Sequence, residues 1–399
     1  MRVAFAVLFS AAVTLATGLA TAQAPAPAKP VPSPADLPVP PAPEVKGEAW
    51  LLMDFDSGQV LAGENIDQRH EPASLTKVLT SYVVAAEMQA GRIAPDDQVL
   101  MSEHAWRTGG ARTDGSYSGF PVNERAPLEQ MEKGMVIQSG NDAAIALAEH
   151  IAGTVDAFAD LMNAHAERLG MTGSHFTNPH GLPDPEHYST AHDLALLGRA
   201  LIRDFPEHYA YNKIKEFTVG DITQRNRNLL LWRDSSVDGI KTGHTSGAGY
   251  CLMTSAERNG QRLLTVVLGS TGEKQRADDS QALLEWGFRF FESNELYPAR
   301  KQIATQKVWK GAADEVVLGL AQPLRVTIRR GRYDSLKPMM ELPGTLVAPI
   351  EEGQQVGKVK VMLDGKVVAE RPLVALEAVE EGGFFKRLWD GFWLWWESF

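Results

Sequence analysis

The stretch EPASLTKVLT, from Glu71 to Thr80, places Ser74 three residues before Lys77 at the predicted start of a helix. The apolar residues that follow recur at three- and four-residue spacing, which is typical of an amphipathic helix packed into a core. On such a helix the two side chains lie on the same face, less than one turn apart. A serine hydroxyl needs a base within hydrogen-bonding reach, and lysine can be that base when it is uncharged. The pair is a candidate nucleophile and base, although so short a pattern also occurs by chance.

Two later motifs make the pattern more specific. Ser139–Asn141 (Ser-Gly-Asn) follows an apolar helix in the stretch IQSGND, and Lys241–Gly243 (Lys-Thr-Gly) lies in DGIKTGHTSGAGY, where an edge strand is predicted. Serine-x-x-lysine, serine-x-asparagine and lysine-threonine-glycine, in this order, occur in β-lactamases and penicillin-binding proteins. The three motifs together predict an acyl-transfer site that is assembled from distant parts of the chain.

The surrounding sequence predicts a mixed α/β (α+β) domain over residues 47–294. A hairpin is expected near Trp50–Phe55, and the predicted helices of the middle are Pro127–Ile137, Asn141–Ile151, Val155–Leu169 and Ala191–Arg203. The predicted strands that follow are Val237–Thr245, Tyr250–Thr254 and Leu263–Leu268, and a helix over Ser280–Glu292 comes after them. Strands that bracket a helical middle are typical of a mixed domain. From residue 295 to 378 the pattern changes to alternating apolar and polar residues with an Asp-Gly turn, which predicts a small all-β domain.

Both ends of the chain have unusual composition. Residues 1–22 combine Arg2, an apolar run and small residues, which predicts an exported protein with a cleaved signal peptide; an uncleaved anchor is the alternative. Residues 23–46 are a proline-rich, extended linker. Residues 382–399 hold four of the nine tryptophans and predict an amphipathic helix that lies flat on a membrane, in preference to one docked on the protein. We therefore expect an exported protein that is bound peripherally to a membrane.

Composition excludes several other classes of function. The formal net charge of -11 argues against a nucleic-acid partner. Cys251 is the one cysteine of the 399 residues, so no internal disulfide can form, and its apolar neighbours predict a buried thiol. The histidines lack H-x-x-x-H spacing and no phosphate-binding loop motif occurs, so neither a metal nor a cofactor is expected.

At this point the chain resembles the D-alanyl-D-alanine carboxypeptidases of peptidase family S11. These are low-molecular-mass penicillin-binding proteins of the two-domain type with a C-terminal anchor. The resemblance runs from Ala49 to Phe399 and includes PASLTK, QSGNDA, NRNLLLW, VDGIKTGHT, AGY, WGFRFFE, RPLVAL and the aromatic terminal helix. It implies a hydrolase that removes the terminal D-alanine from peptidoglycan pentapeptides and is acylated by β-lactam antibiotics. It also implies a peripheral protein anchored on the outer, periplasmic face of the bacterial inner membrane, which is the cytoplasmic membrane.

The resemblance also implies roles for individual residues. Ser74 would be the acylated nucleophile, Lys77 its base, Ser139 a proton relay to the leaving amine, and Asn141 a ligand of the substrate backbone. The other substrate-binding residues are Arg227, Lys241, Thr242, Gly243, His244 and Thr245. The amides of Ser74 and His244 would form the oxyanion hole, while Arg227 and Thr245 would complete the site for the terminal carboxylate.

Several assignments have structural alternatives. Ser139 and Asn141 could cap a helix that starts at Asp142, Lys241 could be a solvated strand lysine, and Arg227 could form a structural salt bridge.

Three neighbouring features receive no catalytic role. Arg276 is expected on the surface, His180 is interpreted as structural, and the loop Thr108–Gly119 is expected to border the cleft.

Three other functions stay open. A DD-endopeptidase shares all three motifs. A serine β-lactamase would need a deacylating glutamate in an E-x-x-L-N setting, which the glutamates between the second and third motifs lack: Glu149, Glu167, Glu186, Glu207 and Glu216. A catalytically idle wall-binding scaffold is disfavoured because all three motifs are intact.

Overall fold

A computed structural model describes residues 39–110, 113 and 115–397. The helices are α1 (Thr76–Gln89), α2 (Glu103–Gly109), α3 (Leu128–Ile137), α4 (Asn141–Ala152), α5 (Val155–Arg168), α6 (Ala191–Asp204), α7 (Pro206–Tyr209), α8 (Leu230–Arg233), α9 (Glu273–Phe290) and α10 (Phe384–Glu397).

The strands of the first half are β1 (Ala49–Asp54), β2 (Val60–Glu64), β3 (Gln98–Leu100), β4 (Arg125–Pro127), β5 (Glu216–Val219), β6 (Ile222–Arg225), β7 (Val237–Thr245), β8 (Gly249–Arg258) and β9 (Gln261–Ser270). Those of the second half are β10 (Phe291–Tyr297), β11 (Ala304–Lys307), β12 (Glu315–Gly319), β13 (Leu324–Arg329), β14 (Lys337–Glu341), β15 (Gln355–Leu363) and β16 (Lys366–Ala375).

The first domain is built on a five-stranded antiparallel sheet in the order β2-β1-β9-β8-β7. Side chains alternate between the two faces of each strand. On β1, Leu51 and Met53 join the core shared with α1, α5 and α6, whereas Leu52 joins the core under α9. Because β7 is the last strand in this order, it is an edge strand, as the sequence predicts, and its outer edge is open to the cleft.

Helix α9 differs from the prediction because it begins at Glu273, seven residues before Ser280, and the chain is already in strand β10 by Phe291. Its first two turns bury Arg276, Asp279 and Ser280. These polar residues hide the apolar periodicity from which a helix is predicted.

The second domain is all β, which confirms the predicted fold class. Its larger sheet has the order β11-β12-β16-β15-β14, and β10 pairs with β13. The core is aliphatic and includes Val326, Val359, Val361 and Leu373. Side-chain contacts between the domains include an ion pair in which Arg325 Nη1 lies 2.8 Å from Asp56 Oδ2, and the hydroxyls of Ser57 and Thr327, which are 2.7 Å apart.

The proposed signal peptide lies outside the described residues, as does the linker up to residue 38. The described end of the linker, residues 39–46, contains no helix or strand. It lies against the first domain, because Trp286 Nε1 donates to the carbonyl of Pro40 and Ala42 packs near Trp50.

Helix α10 directs polar side chains toward the β domain and apolar ones into solvent. Asp390 accepts a hydrogen bond of 2.7 Å from the amide of Lys310, and Lys386 pairs with Asp314. Its exposed large apolar side chains are Phe384, Phe385, Leu388, Trp389, Phe392, Trp393, Trp395 and Trp396. In the described part of the chain, no helix combines the length and hydropathy that crossing a bilayer requires.

Candidate active site

Ser74 lies in a single 3-10 turn, Ala73–Leu75, that leads into α1. The turn is held from two sides. Gly181 approaches so closely that a Cβ at this position would lie 1.8 Å from the carbonyl oxygen of Ala73. On the other side, a Cβ at Gly243 would lie 3.2 Å from the amide nitrogen of Ser74. The edge strand and the 181 loop therefore position the serine by direct backbone contact.

Lys77 lies beneath Ser74 and is almost completely buried, with 1% of its surface exposed. Its Nζ atom lies 2.9 Å from Ser74 Oγ, 2.7 Å from Asn141 Oδ1 and 2.7 Å from the carbonyl oxygen of His180. Burial, with a smaller contribution from the charge of Arg227, lowers the pKa of Lys77 from its usual range to about 7. Near neutral pH a large fraction of this amine is therefore uncharged.

Lys241 and Ser139 form a second amine–hydroxyl pair across the cleft. Lys241 Nζ donates to Ser139 Oγ at 2.9 Å and to the carbonyl of Thr242 at 3.2 Å. Burial lowers the pKa of Lys241 well below its usual range, and the nearby charges of Lys77 and Arg227 lower it further. Lys241 is therefore not a solvated strand lysine.

The helix-capping alternative does not describe Ser139 and Asn141. Helix α4 begins at Asn141, its N-cap is Gly140, and no side chain caps it. Ser139 has a positive φ of 66°, and its hydroxyl faces Lys241. Asp142 connects the first turn of α4 to the loop before α3 by accepting hydrogen bonds from the amide and hydroxyl of Ser118 at 2.8 and 2.9 Å.

A cleft of about 700 Å³ opens above these residues. Its described lining includes members of all three motifs, the loop residues Thr113, Gly115 and Ser116, and the strand residues Thr242, Gly243, His244 and Thr245. The loop Thr108–Gly119 thus contributes to the cleft border, as expected.

Arg227 projects into the cleft and donates to the hydroxyl of Ser116. Burial lowers its pKa, which the charge of Glu273 partly opposes. Among the described residues it forms no salt bridge, so the structural alternative is not supported there.

Thr245 was expected to help bind the terminal carboxylate, but its hydroxyl already has partners within the protein. Its hydroxyl donates to Glu71 Oε2 at 3.0 Å and accepts from the amide of Ala248 at 2.9 Å. The neighbouring His244 is exposed, and its ring stacks on Tyr250 with 4.1 Å between ring centres.

The expectation that Arg276 is a surface residue is wrong. It is 3% exposed, lines the cleft, and donates to the carbonyls of Gly243 at 2.8 Å and Cys251 at 3.2 Å. The charged segment around it suggested a solvated helix end, but α9 starts early enough to carry this residue under β7. Cys251 itself is a free, buried thiol, as predicted.

Two residues contribute to the site through their backbone, so their roles could not be predicted from side-chain chemistry. His180 acts on Lys77 through its backbone carbonyl, and Gly181 is required by close approach at a φ of +86°. The sequence signal for both is the compact Asn-Pro-His-Gly turn over residues 178–181, in which glycine marks a positive φ.

The glutamates considered for β-lactamase chemistry lie elsewhere. Of the described carboxylates the cleft is lined by Glu273, and none of Glu149, Glu167, Glu186, Glu207 and Glu216 lines it.

Comparisons with known proteins identify relatives of this chain. The family model described as D-alanyl-D-alanine carboxypeptidase matches residues 37–272, and that for the penicillin-binding protein 5 C-terminal domain matches residues 291–381. The chain is 47% identical over 352 residues to the D-alanyl-D-alanine carboxypeptidase DacC of Escherichia coli (strain K12), covering 88% of each chain. It is 44% identical to DacA of the same strain over 355 residues, again covering 88% of each.

Solved structures agree. The structure of penicillin-binding protein 5 from Haemophilus influenzae superposes with a TM-score of 0.81 at 42% identity, covering 86% of this chain and 99% of that one. The ampicillin-bound form of penicillin-binding protein D2 from Listeria monocytogenes has a TM-score of 0.56 at 28% identity, covering 62% of this chain and 100% of that one. The chain belongs to the D-alanyl-D-alanine carboxypeptidase family of serine penicillin-binding proteins, peptidase family S11.

Proposed function

We propose that this protein removes the terminal D-alanine from peptidoglycan pentapeptide stems through an acyl-enzyme on Ser74. The observation that carries the proposal is the position of Lys77 Nζ, 2.9 Å from Ser74 Oγ, in a buried site where its pKa falls to about 7. The names of the relatives, which are D-alanyl-D-alanine carboxypeptidases, support the choice of substrate.

The hydrogen bonds of Lys77 favour its role as the base. A neutral amine has two N–H groups and one lone pair. Two carbonyl oxygens, Asn141 Oδ1 and the backbone oxygen of His180, lie 2.7 Å from Nζ and can accept both N–H groups. The lone pair is then directed at the third neighbour, the hydroxyl of Ser74, and can take its proton as Ser74 attacks the substrate carbonyl.

Ser139 and Lys241 supply a route for the proton on the opposite side of the cleft. Ser139 donates its proton to the amine of the departing D-alanine and receives in turn the proton that Lys77 took from Ser74, while Lys241 Nζ, 2.9 Å away, donates a hydrogen bond to the Ser139 oxygen. Lys77 is then neutral again and can deprotonate the water molecule that hydrolyses the ester on Ser74.

The terminal carboxylate of the substrate is assigned to Arg227 and Thr242. Arg227 provides the cationic group in the cleft, and a guanidinium matches the planar geometry of a carboxylate. The hydroxyl of Thr245 donates a hydrogen bond to Glu71, so binding the substrate carboxylate directly would require that hydrogen bond to break.

The edge strand β7 binds the peptide backbone, and the amides of Ser74 and His244 stabilise the oxyanion. The close approach of Gly243, the residue before His244, to the Ser74 amide supports an oxyanion hole built from these two amides. Asn141 is shared between Lys77 and the substrate amide. β-Lactams carry a strained amide beside a carboxylate, so we expect them to acylate Ser74.

The test is D-alanine release from a peptide ending in D-Ala-D-Ala, with Ser74→Ala as the control. Release that the substitution abolishes supports the proposal. If D-alanine release is unaffected by the substitution or absent from both proteins, the proposal fails. Release of cross-linked dimers as monomers instead would identify an endopeptidase.

We further propose that residues 1–22 direct export and that α10 holds the protein on the outer face of the cytoplasmic membrane. Eight exposed large apolar side chains on α10 support the second point, since aromatic residues favour the headgroup region of a bilayer.

A further inference from the structure

Glu71 is the acidic residue nearest to Ser74 in sequence, and the proposed mechanism gives it no role. Its carboxylate accepts a hydrogen bond of 3.0 Å from the hydroxyl of Thr245, which lies 174 residues away in the chain. Thr245 is the last residue of β7, and its hydroxyl accepts in turn from the amide of Ala248 at 2.9 Å. One side chain therefore connects the segment before Ser74 to the turn that ends the edge strand.

The carboxylate is half-buried and packs against the turn between β7 and β8. A Cβ at Gly247 would lie 2.5 Å from Glu71 Oε1 and 2.8 Å from Glu71 Oε2. Atoms in protein interiors do not approach so closely, so a larger residue at 247 would displace the carboxylate. Thr245 and Gly247 both line the cleft. Glu71 therefore supports the border of the cleft from the side of the Ser74 segment.

The two segments that Glu71 connects carry the two amides of the proposed oxyanion hole. Ser74 follows Glu71 by three residues, and His244 directly precedes Thr245. Gly243 limits how closely β7 approaches the serine, because a Cβ there would already lie 3.2 Å from the Ser74 amide nitrogen. This contact does not prevent the strand from moving away, whereas the hydrogen bond between Glu71 and Thr245 opposes that movement.

The position of Thr245 in the strand makes this bond effective. Residues two apart on a strand lie on the same face, so Thr245 and Gly243 both face the segment that leads to Ser74. β7 is an edge strand that pairs with β8 along one side, and its last pair is Thr245 with Gly249. The end of an edge strand has few hydrogen bonds to hold it, so one additional bond there has a large influence on its position.

The charge of Glu71 also disfavours the other role considered for Thr245. A carboxylate that accepts from this hydroxyl repels a second carboxylate brought to the same place. The terminal carboxylate of the substrate is therefore better bound by Arg227, the cationic group already assigned to it. Thr245 is left with a role in the position of the strand.

We propose that Glu71 is a positioning residue that acts through Thr245. It holds the amide of His244 at the distance from the Ser74 amide at which both can bind the oxyanion. The inference rests on the proposed function, because the oxyanion belongs to that reaction. Formation and hydrolysis of the acyl-enzyme both pass through an oxyanion, so loss of Glu71 should lower turnover more than substrate binding.

D-alanine release by the full chain from a peptide ending in D-Ala-D-Ala tests this. Glu71→Ala and Thr245→Val should each lower kcat about ten- to hundredfold, with KM within about threefold of wild type. Glu71→Gln keeps an acceptor oxygen and should retain kcat within about fivefold. Tyr82→Phe is the matched control, because it removes another hydroxyl–carboxylate bond of 3.0 Å, to Asp204, and should leave kcat unchanged.

A peptide boronic acid gives a measurement that a loss of stability alone would not change. Its boron accepts Ser74 Oγ and becomes tetrahedral and anionic, so one of its oxygens takes the place of the oxyanion. Its affinity should fall by about the same factor as kcat in Glu71→Ala and in Thr245→Val. The double variant should be at most about threefold slower than the slower single variant, because both substitutions remove the same bond.

Four results would overturn the inference. They are a wild-type kcat in Glu71→Ala, a Glu71→Gln variant as slow as Glu71→Ala, single effects that multiply in the double variant, and a Thr245→Val variant that changes KM alone. The last is expected if Thr245 binds the substrate carboxylate directly. If wild type binds the boronic acid but releases no D-alanine, the proposed function fails, and the boronic-acid affinities of the variants still decide the role of Glu71.

Discussion

Two lysines lie buried beneath the catalytic cleft, whereas eight large apolar side chains of α10 lie in solvent. Lys77 is 1% exposed and Phe385 is 83% exposed. Each region reverses the usual distribution of charged and apolar residues, and each reversal costs free energy in the isolated chain. In the cleft the cost appears as a lowered pKa of Lys77, which leaves a large fraction of its amine uncharged at neutral pH. On α10 the cost would be removed by binding of the helix to a membrane, as proposed above.

The largest effect is expected at the buried centre. Lys77→Met should lower the rate of Ser74 acylation at least a thousandfold, because it removes the proposed base. Labelling by a fluorescent penicillin followed over time measures this rate. Lys274→Met, at a lysine with 80% of its side chain exposed, is the matched control. A Lys77→Met protein that is acylated within tenfold of the wild-type rate would show that the burial of this lysine serves structure alone.

The role of the exposed apolar side chains of α10 is tested by deleting residues 384–399. Partitioning onto vesicles of phosphatidylethanolamine and phosphatidylglycerol should fall by about a hundredfold or more, because several apolar side chains lose their contact with the bilayer. D-alanine release should be unchanged.

Trp232→Ala is the control for this deletion. Trp232 is 45% exposed on the first domain, and its loss should not alter vesicle sedimentation. If the truncated protein sediments with the vesicles as wild type does, α10 is not the anchor.

The tight packing around Ser74 can be tested with two glycines of similar φ. Gly181 has φ +86° and Gly170 has φ +79°, but a Cβ at Gly181 meets the carbonyl of Ala73 whereas one at Gly170 meets nothing within 4 Å. Alanine at either position should destabilise the fold by about 1 kcal/mol through the backbone. Gly181→Ala should cost about 1–3 kcal/mol more through the clash.

Thermal unfolding measures the difference between these two variants. Gly181→Ala should unfold several degrees below Gly170→Ala and should also be acylated more slowly by penicillin. Equal unfolding temperatures would mean that the turn around Ser74 rearranges to accept a Cβ at residue 181 without loss of stability.

The smallest predicted effect is the pH dependence of acylation. Lys77 must be neutral to act as a base, and its pKa is about 7. With that pKa roughly a tenth of the amine is neutral at pH 6 and roughly nine-tenths at pH 8, so the rate should rise about tenfold and then level off. The acylation rate measured between pH 5 and 10 tests this. An inflection near pH 10 would mean that Lys77 keeps the pKa of an exposed lysine.

Most of the first domain was predictable from local pattern. The predicted strand Val237–Thr245 has the observed bounds, and helices α3 to α6 lie where apolar spacing indicates them. Helix α9 was only half found because its buried face begins with Arg276 and Asp279. A buried polar residue satisfied by distant backbone, as Arg276 is by Gly243, leaves no periodic signal.

The sequence by itself determined the order of the motifs, the two-domain α/β and all-β organisation and the aromatic character of the terminal helix. These features depend on residue type and spacing along the chain. Only the tertiary structure decided that Arg276 is buried, that the carbonyl of His180 accepts a hydrogen bond from Lys77, and that the hydroxyl of Thr245 donates one to Glu71. Burial and backbone position depend on residues far apart in sequence, and they are the quantities that set the pKa of Lys77 and hence its proposed chemistry.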